Sequence, residues 1–314
     1  MRAVTPRRIA LLLLALVLAG CAGPAPVKVP VVQGPEFTFF VAADAHYGQS
    51  MWDNNEASNK ANIDAMNALP GSAYPAEAGP GAVAAPVGVL VAGDLTDTGE
   101  YLNWNGYWLL HRHDGFRCDF GIGGEGRIKY PVFESYGNHD ITNNRTVVIN
   151  GIKERNRRRE GLRLSPEGLH SSWDWGSVHF VNLNLYPGGP GTANNSLAFL
   201  KDDLAQKVVG SHRPVILFHH YGFDSFSCEE RWWTDAEREA YYETVKDYNV
   251  IAIFNGHLHA QDHLQWHGMD AFIAGKAADG NFLVVRITAD SLTVACRTQQ
   301  GWGQCWKKAI VQTP

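Results

Sequence analysis

Pro131-Val132-Phe133-Glu134-Ser135-Tyr136-Gly137-Asn138-His139-Asp140 is an apolar run that ends in a cluster of chemically active side chains. A short run rich in β-branched and aromatic residues reads as a buried strand. The amide, imidazole and carboxylate that follow it do not belong in an apolar core. The same arrangement recurs along the chain. Phe37 to Ala43 runs into Asp44-Ala45-His46, and Val87 to Ala92 runs into Gly93-Asp94. Pro214 to Phe218 runs into His219-His220, and Val250 to Phe254 into Asn255-Gly256-His257-Leu258-His259. Sheets gather ligands at the carboxyl ends of their strands, where loops converge. Polar clusters this far apart in sequence can therefore share one site.

The segments between the strands carry helical signals. Leu197, Leu200, Leu204 and Val208 recur along one helix face, and Thr234 with Glu237 forms a capping box for a helix through Val245. Strands alternating with helices predict an α/β layered domain. Phe282 to Thr288 and Ser291 to Cys296 flank a short Ala289-Asp290 link and predict a hairpin, while Gly71 to Pro86 reads as a loop. The 314 residues are 45% hydrophobic and 19% charged, which excludes a disordered chain and a polytopic membrane protein. A net charge of −5 lacks the basic excess that neutralises phosphate backbones, so no nucleic-acid partner is expected.

The strand-end side chains are Asp44, His46, Asp94, Asn138, His139, His219, His257 and His259. Imidazole with carboxylate, and no thiolate, suits ions such as Zn, Mn and Fe. These donors outnumber the ligands of one tetrahedral ion. Two metals about 3.5–4 Å apart are the usual clamp on the attacking and leaving oxygens of phosphoryl transfer.

In order, D-x-H, G-D, G-N-H-D, a strand-end His and G-H-x-H resemble the calcineurin-like metallophosphoesterase superfamily, with all five blocks present from Asp44 to His259. The resemblance implies a four-layer αββα sandwich with two central mixed sheets. It implies that Asp44, His46 and His259 hold one metal, that Asn138, His219 and His257 hold the second, and that Asp94 bridges them. A metal-bridging hydroxide would then be the nucleophile, with His139 assisting at the phosphate or leaving oxygen and Asp140 orienting His139. Purple acid phosphatases carry a tyrosine three residues after the bridging aspartate. Here that residue is Asp97, so the stretch Gly93-Asp94-Leu95-Thr96-Asp97 is more similar to the branch with class III cyclic-nucleotide phosphodiesterases. The expected substrate is a small phosphodiester. The alternatives are a phosphomonoesterase acting on inositol phosphates or nucleotides, and a metal-binding envelope lipoprotein without catalysis.

Around these blocks, Lys153 to Glu160 is the most basic stretch; it reads as a solvated face or, with Arg145, as an attractor of anionic substrate. Tyr221 and Trp232, in an aromatic segment after the His219 block, are candidate walls of the substrate pocket. His179 reads as a packed core histidine, whereas His111, His113, His170 and His212 read as exposed helix or loop positions.

Arg2, Arg7 and Arg8 precede an apolar run from Ile9 to Leu18, too short to span a bilayer, and the segment ends Leu18-Ala19-Gly20-Cys21. This resembles the lipobox of bacterial lipoprotein signal peptides. It implies a signal peptide over residues 1–20, lipidation at Cys21, and an envelope protein, with Ala22 favouring the outer membrane. Residues 21–35, with four prolines, read as an extended tether, and residues 36–314 as the enzyme domain. Four further cysteines allow three pairings. Gly301-Trp302-Gly303 could turn the chain between Cys296 and Cys305, which favours that pair and leaves Cys118 with Cys228.

Overall fold

The computed structural model describes residues 25–48, 55–97, 107–144, 146–188 and 196–310. The expected signal peptide over residues 1–20, Cys21 and Arg145 lie outside the described residues. In chain order the first elements are β1 (Val27–Lys28), β2 (Phe37–Ala42), α1 (Glu56–Ala68), β3 (Val89–Val91), α2 (Tyr107–Asp119), β4 (Val132–Glu134) and α3 (Val147–Arg157). There follow β5 (Arg159–Glu160), β6 (Arg163–Leu164), β7 (Ser171–Trp175), β8 (Val178–Asn182), α4 (Ser196–Lys207), β9 (Val215–Phe218), α5 (Asp235–Val245) and β10 (Val250–Asn255). The last are β11 (Gln261–Trp266), β12 (Met269–Ala274), β13 (Phe282–Ile287), β14 (Ser291–Thr298) and β15 (Gly301–Ala309).

Two mixed sheets organise the chain. One has the order β15-β14-β13-β2-β3-β4, with β2, β3 and β4 parallel. The other has the order β11-β12-β10-β9-β8-β7-β6, with β8, β9, β10 and β12 parallel. Parallel strands end at the same edge, so the polar clusters after β2, β3 and β4 emerge together, as do those after β9 and β10.

Every residue of β2 is buried, and successive side chains take opposite faces. Phe39 and Val41 face the second sheet with Trp173, Trp175, Phe180 and Phe254, while Phe40 and Ala42 join the cluster beneath the helices. Rings interlock between the sheets: Phe133 stacks on Trp173 at 4.3 Å, and Phe39 meets Phe180 edge-on at 5.3 Å. Such pairs each add about 0.5–1.5 kcal/mol beyond area burial. The result is the expected sandwich, with helices outside two sheets. The expected hairpin is β13–β14, and α5 starts with the Thr234–Glu237 capping box.

The α4 stripe of Leu197, Leu200 and Leu204 is buried, and Asp203 on its inner side fastens the helix to the sheet. Its carboxylate accepts from Ser172 Oγ at 2.6 Å and lies 2.7 Å from His179 Nε2. His179 is a packed core histidine as expected, with Asp174 on its other nitrogen at 2.7 Å. Burial opposes its charge, but the two carboxylates outweigh burial and raise its pKa above 6.5.

Several expectations are corrected. His113 and His170 are buried at 3% and 1% exposure: His113 lies on α2, and His170, just before β7, lies 3.1 Å from Asn184 Nδ2 through its Nδ1. From residue 25 the proposed tether lies against the domain: Val27 and Lys28 pair in parallel with Arg159 and Glu160, and Val29 and Val32 pack on the inter-sheet core. The four described cysteines are free thiols. Cys305 pairs across the ladder with Ala295, so Cys296, one residue on, turns to the opposite face. Cys296 sits between the sheets and Cys305 packs on the helix side. Cys118 is exposed on α2 beside one sheet, and Cys228 lies in the loop after β9 of the other.

The basic stretch is neither a solvated face nor a substrate attractor throughout. Arg155 and Arg159 are buried with Glu134, at 2.5 and 2.6 Å. They lock α3 and β5 onto β4.

Candidate metal centre

The loops that leave the strand ends are held in unusual backbone. Asp44 (φ 55°), His46 (φ 45°), Asp94 (φ 50°), His257 (φ 73°) and His259 (φ 65°) all adopt left-handed conformations. Each such non-glycine residue costs about 1–3 kcal/mol, and such residues cluster at functional sites. Backbone bonds continue the ladder past the strands, Asp44 N–H to Gly93 O and His46 N–H to Asp94 O, both at 3.0 Å. The glycines of these blocks permit close approach. A Cβ on Gly137 would collide with Asp94 Oδ1, and one on Gly93 would lie 2.5 Å from His220 Nδ1.

Three groups of donor atoms result, each within 4.8 Å: Asp44, His46, Asp94 and His259; Asp94, His220 and His257; and His46, Asp97 and His139. The first two share Asp94. His46 Nε2 lies 3.0 Å from His259 Nε2 and 3.7 Å from Asp94 Oδ2. Asp44 Oδ1 is 3.5 Å from His259 Nε2. On the other side, His220 Nε2 is 3.2 Å from Asp94 Oδ2 and 3.1 Å from Asn138 Oδ1. Asp94 Oδ2 therefore faces imidazoles of both these groups. Among the described residues, Asp94 Oδ2 and His257 Nε2 are buried without a hydrogen-bond partner. Buried lone pairs converging on lone pairs carry a full desolvation cost unless a cation satisfies them. The donor set fits two such ions.

Outer contacts aim these atoms. His220 Nδ1 sits 2.8 Å from Ala92 O, which makes that nitrogen the donor and directs the Nε2 lone pair into the site. His257 N–H donates to the Asp44 carboxylate at 3.1 Å, and His139 N–H to Asp94 Oδ1 at 2.9 Å. Burial raises the Asp94 pKa, but His220, His46 and His139 outweigh it and hold the carboxyl well below its ordinary range. Burial likewise opposes charge on His220, yet without a cation Asp94 and Asp44 push its pKa up to about 9, so that metal binding displaces the Nε2 proton and frees the lone pair.

The strand-end histidine at the site is His220, not the expected His219. One residue along an extended chain reverses the side chain, and His219, directly after β9, is turned away from the site into buried aromatic packing. His219 packs among Phe223, Trp233 and Tyr241 at 5.5–5.8 Å, where burial pushes its pKa down to about 3. Asp140 also differs from expectation. Its oxygens accept from Leu95 N–H, Thr96 N–H, Thr96 Oγ and Gly137 N–H at 2.8–3.0 Å, joining the G-D and G-N-H-D loops. Beside His139 stands Asp97, whose carbonyl meets His139 Nδ1 and whose carboxylate lies 3.4 Å from His46 Nδ1.

Tyr221 is buried behind the site, 4.8 Å from the His257 ring. Trp232 lines the cavity of about 420 Å³ over the site, together with Phe226, which sequence reasoning missed.

Sequence reasoning also missed Asn182 and Asn184. Asn184 (φ 62°) accepts His220 N–H on its carbonyl at 2.7 Å and Tyr136 N–H on its amide at 3.3 Å. Asn182 Oδ1 accepts Ser135 Oγ at 2.7 Å and Asn184 N–H at 3.0 Å, and its Nδ2 donates to Glu134 O at 2.8 Å. The pair ties the end of β8 in one sheet to the end of β4 in the other. An N-x-N pair just after a strand was the only available signal. Asn184→Ala keeps the carbonyl that accepts His220 N–H but loses the side-chain bond to Tyr136 N–H, just before Gly137-Asn138-His139, and puts alanine in left-handed backbone. Its kcat is expected to fall about 10-fold, with Asn184→Gly retaining more activity because it tolerates that backbone. Steady-state kinetics on folded variants checks this; equal activity of wild type and Asn184→Ala would refute the role.

A sequence model described as calcineurin-like phosphoesterase matches residues 37–261. A search of curated proteins returned no match. Solved structures share the fold at low identity. A dimetal phosphatase from Danio rerio is 13% identical with a TM-score of 0.59, over 89% of this chain and all of that one (100%). GAP50, described as the anchor in the inner membrane complex of Plasmodium, is 11% identical with a TM-score of 0.56, over 89% and 90% of the two chains. PhoD is 14% identical with a TM-score of 0.53, over 92% of this chain and 72% of that one. The family match takes in every strand-end block from Asp44 to His259, and on it the chain belongs to the calcineurin-like phosphoesterase family, metal-dependent hydrolases of phosphoesters.

Proposed function

We propose that this protein hydrolyses a small phosphodiester at a dinuclear centre held by Asp44, His46, Asp94, Asn138, His220, His257 and His259. The observation that carries the reading is Asp94 Oδ2, buried, without a hydrogen-bond partner and facing imidazoles from two donor groups. When bound, two cations supply Lewis acidity and lower the pKa of a water towards neutrality. The chain supplies orientation. Ala92 O aims His220, the His257 amide holds Asp44, and the His139 amide holds Asp94. His139 lines the cavity with its side chain 40% exposed, within reach of a phosphate or leaving oxygen. GAP50 shares the fold and is described as an anchor, so the fold alone does not specify catalysis. The full set of donors here favours the enzyme over a binding lipoprotein.

The test is hydrolysis of bis-(p-nitrophenyl) phosphate and p-nitrophenyl phosphate by metal-stripped protein refilled with Mn, Zn or Fe, with Asp94→Ala as the blank. Faster diester cleavage with two metals bound is expected. Monoester preference would make the protein a phosphatase for metabolites such as inositol phosphates or nucleotides. Activity that survives Asp94→Ala would refute the reading.

We further propose that the protein is a lipoprotein anchored at Cys21 in the bacterial envelope, facing the periplasm from the outer membrane. The basic, apolar and Leu-Ala-Gly-Cys segments support it. Fatty-acid labelling lost in Cys21→Ser is the expected result; unlabelled full-length protein would count against it.

A further inference from the structure

The cavity over the metal centre is chemically mixed. Its lining combines polar Asp94, Asn138, His139, His257 and His259 with apolar Phe226, Trp232 and Leu258, and Phe226 and Trp232 stand together against the His257 ring. We infer that the enzyme takes phosphoesters with a flat aromatic arm, the phosphoryl group lying among the polar side chains and the ring against Phe226 and Trp232. This inference rests on the phosphoesterase reading and names the substrate class for that site.

The apolar wall is built rather than incidental. Asp224 Oδ1 accepts the N–H groups of Phe226 and Ser227, both at 3.0 Å, and Asp224 Oδ2 accepts Ser227 Oγ at 2.6 Å. Phe226 stacks on the His257 ring at 4.9 Å, and Trp232 meets the same ring edge-on at 4.6 Å. Arg231 lies over both rings, 4.7 Å from Trp232 and 5.5 Å from Phe226, and pairs with Glu229 at 2.8 Å. The wall is thus braced against the metal ligand itself. A polyol arm, such as inositol or glycerol, would bring hydroxyls against these side chains and leave them desolvated without partners. A ring carries no such penalty and gains edge-to-face or offset contacts with the two aromatics. The volume of about 420 Å³ accommodates a phosphoryl group with one ring system.

The experiment uses Mn-refilled protein and three phosphonates that carry the same anion: methyl-, butyl- and phenylphosphonate. Binding is measured by calorimetry and by competition against p-nitrophenyl ester hydrolysis. Phenylphosphonate is expected to bind about five- to fiftyfold more tightly than methylphosphonate and more tightly than butylphosphonate. Phe226→Leu and Trp232→Leu, which keep an apolar side chain, are each expected to move the phenyl-to-methyl ratio towards one. Equal affinity for all three, or butylphosphonate matching phenylphosphonate, would overturn the aromatic preference and leave the phosphoesterase reading intact. A ratio unmoved in both variants would overturn the assignment to this wall. Failure of every phosphonate to bind, with no metal-dependent hydrolysis, would overturn both readings.

Discussion

His220→Ala is expected to lower turnover at least about a hundredfold and to release one of two bound metal ions, whereas His219→Leu retains both. The argument is geometric. His220 Nε2 stands 3.2 Å from the shared Asp94 oxygen and 3.1 Å from Asn138 Oδ1, aimed by its bond to Ala92 O. Removal takes away a direct donor, and even outer partners of metal ligands are worth about 10–100-fold. His219 instead touches Phe223, Trp233 and Tyr241, and its Nδ1 lies 3.1 Å from Asn255 Nδ2. Its loss breaks a buried hydrogen bond, worth about 1–3 kcal/mol of stability. Metal content by elemental analysis and kcat on the same samples separate the two. If His219→Leu loses the metal and His220→Ala keeps it, the assignment is wrong.

Glu134→Gln is expected to destabilise the fold by about 3–5 kcal/mol, the cost of leaving buried charge uncompensated. Glu134 is fully buried between Arg155 and Arg159, with Arg155 also donating to Phe120 O at 2.7 Å. Glutamine keeps the shape but leaves two guanidinium groups without a counter-charge. The pH dependence follows. Burial raises the Glu134 pKa, yet Arg155 and Arg159 outweigh it and hold the carboxyl at about 2, below its ordinary 4.5. A depressed carboxyl stabilises the folded state fully above 4.5 and loses that contribution as pH falls towards 2. The difference between wild type and Glu134→Gln should therefore hold from about pH 7 down to about 4.5 and shrink on further acidification towards about pH 2. Urea unfolding at matched m-values measures it. A difference under about 1 kcal/mol at neutral pH would show that the ion triad contributes little. The consequence reaches the site, because Glu134 O holds Asn182 and the chain then enters Gly137-Asn138-His139.

Much was legible in the sequence because its signals are local. A β-branched and aromatic run followed by a polar cluster marks a strand and its exit, so the strands before Asp44, Asp94, Asn138, His220 and His257 were readable one by one. The Leu197–Leu200–Leu204 face, the Thr234–Glu237 cap and the β13–β14 hairpin also depend only on near neighbours. The two-sheet sandwich and the convergence of Asp44, His46, Asp94, Asn138, His257 and His259 were implied by the family resemblance that the order of these blocks carries.

What the sequence by itself determined, then, is the strand-and-block order and the chemistry of the donors. Tertiary structure alone decided which of two adjacent histidines faces Asp94, since one residue of register reverses a side chain in extended backbone. Sheet packing also decided that Asp140 joins two loops, that Asp97 flanks His46 and His139, and that Asn182 and Asn184 bridge β8 to β4. It turned Arg155 and Arg159 inward to Glu134 and set Cys296 and Cys305 on opposite faces. Each of these depends on a partner brought from a distant part of the chain, and side-chain direction and partnership across the two sheets exist only once the sheets are packed.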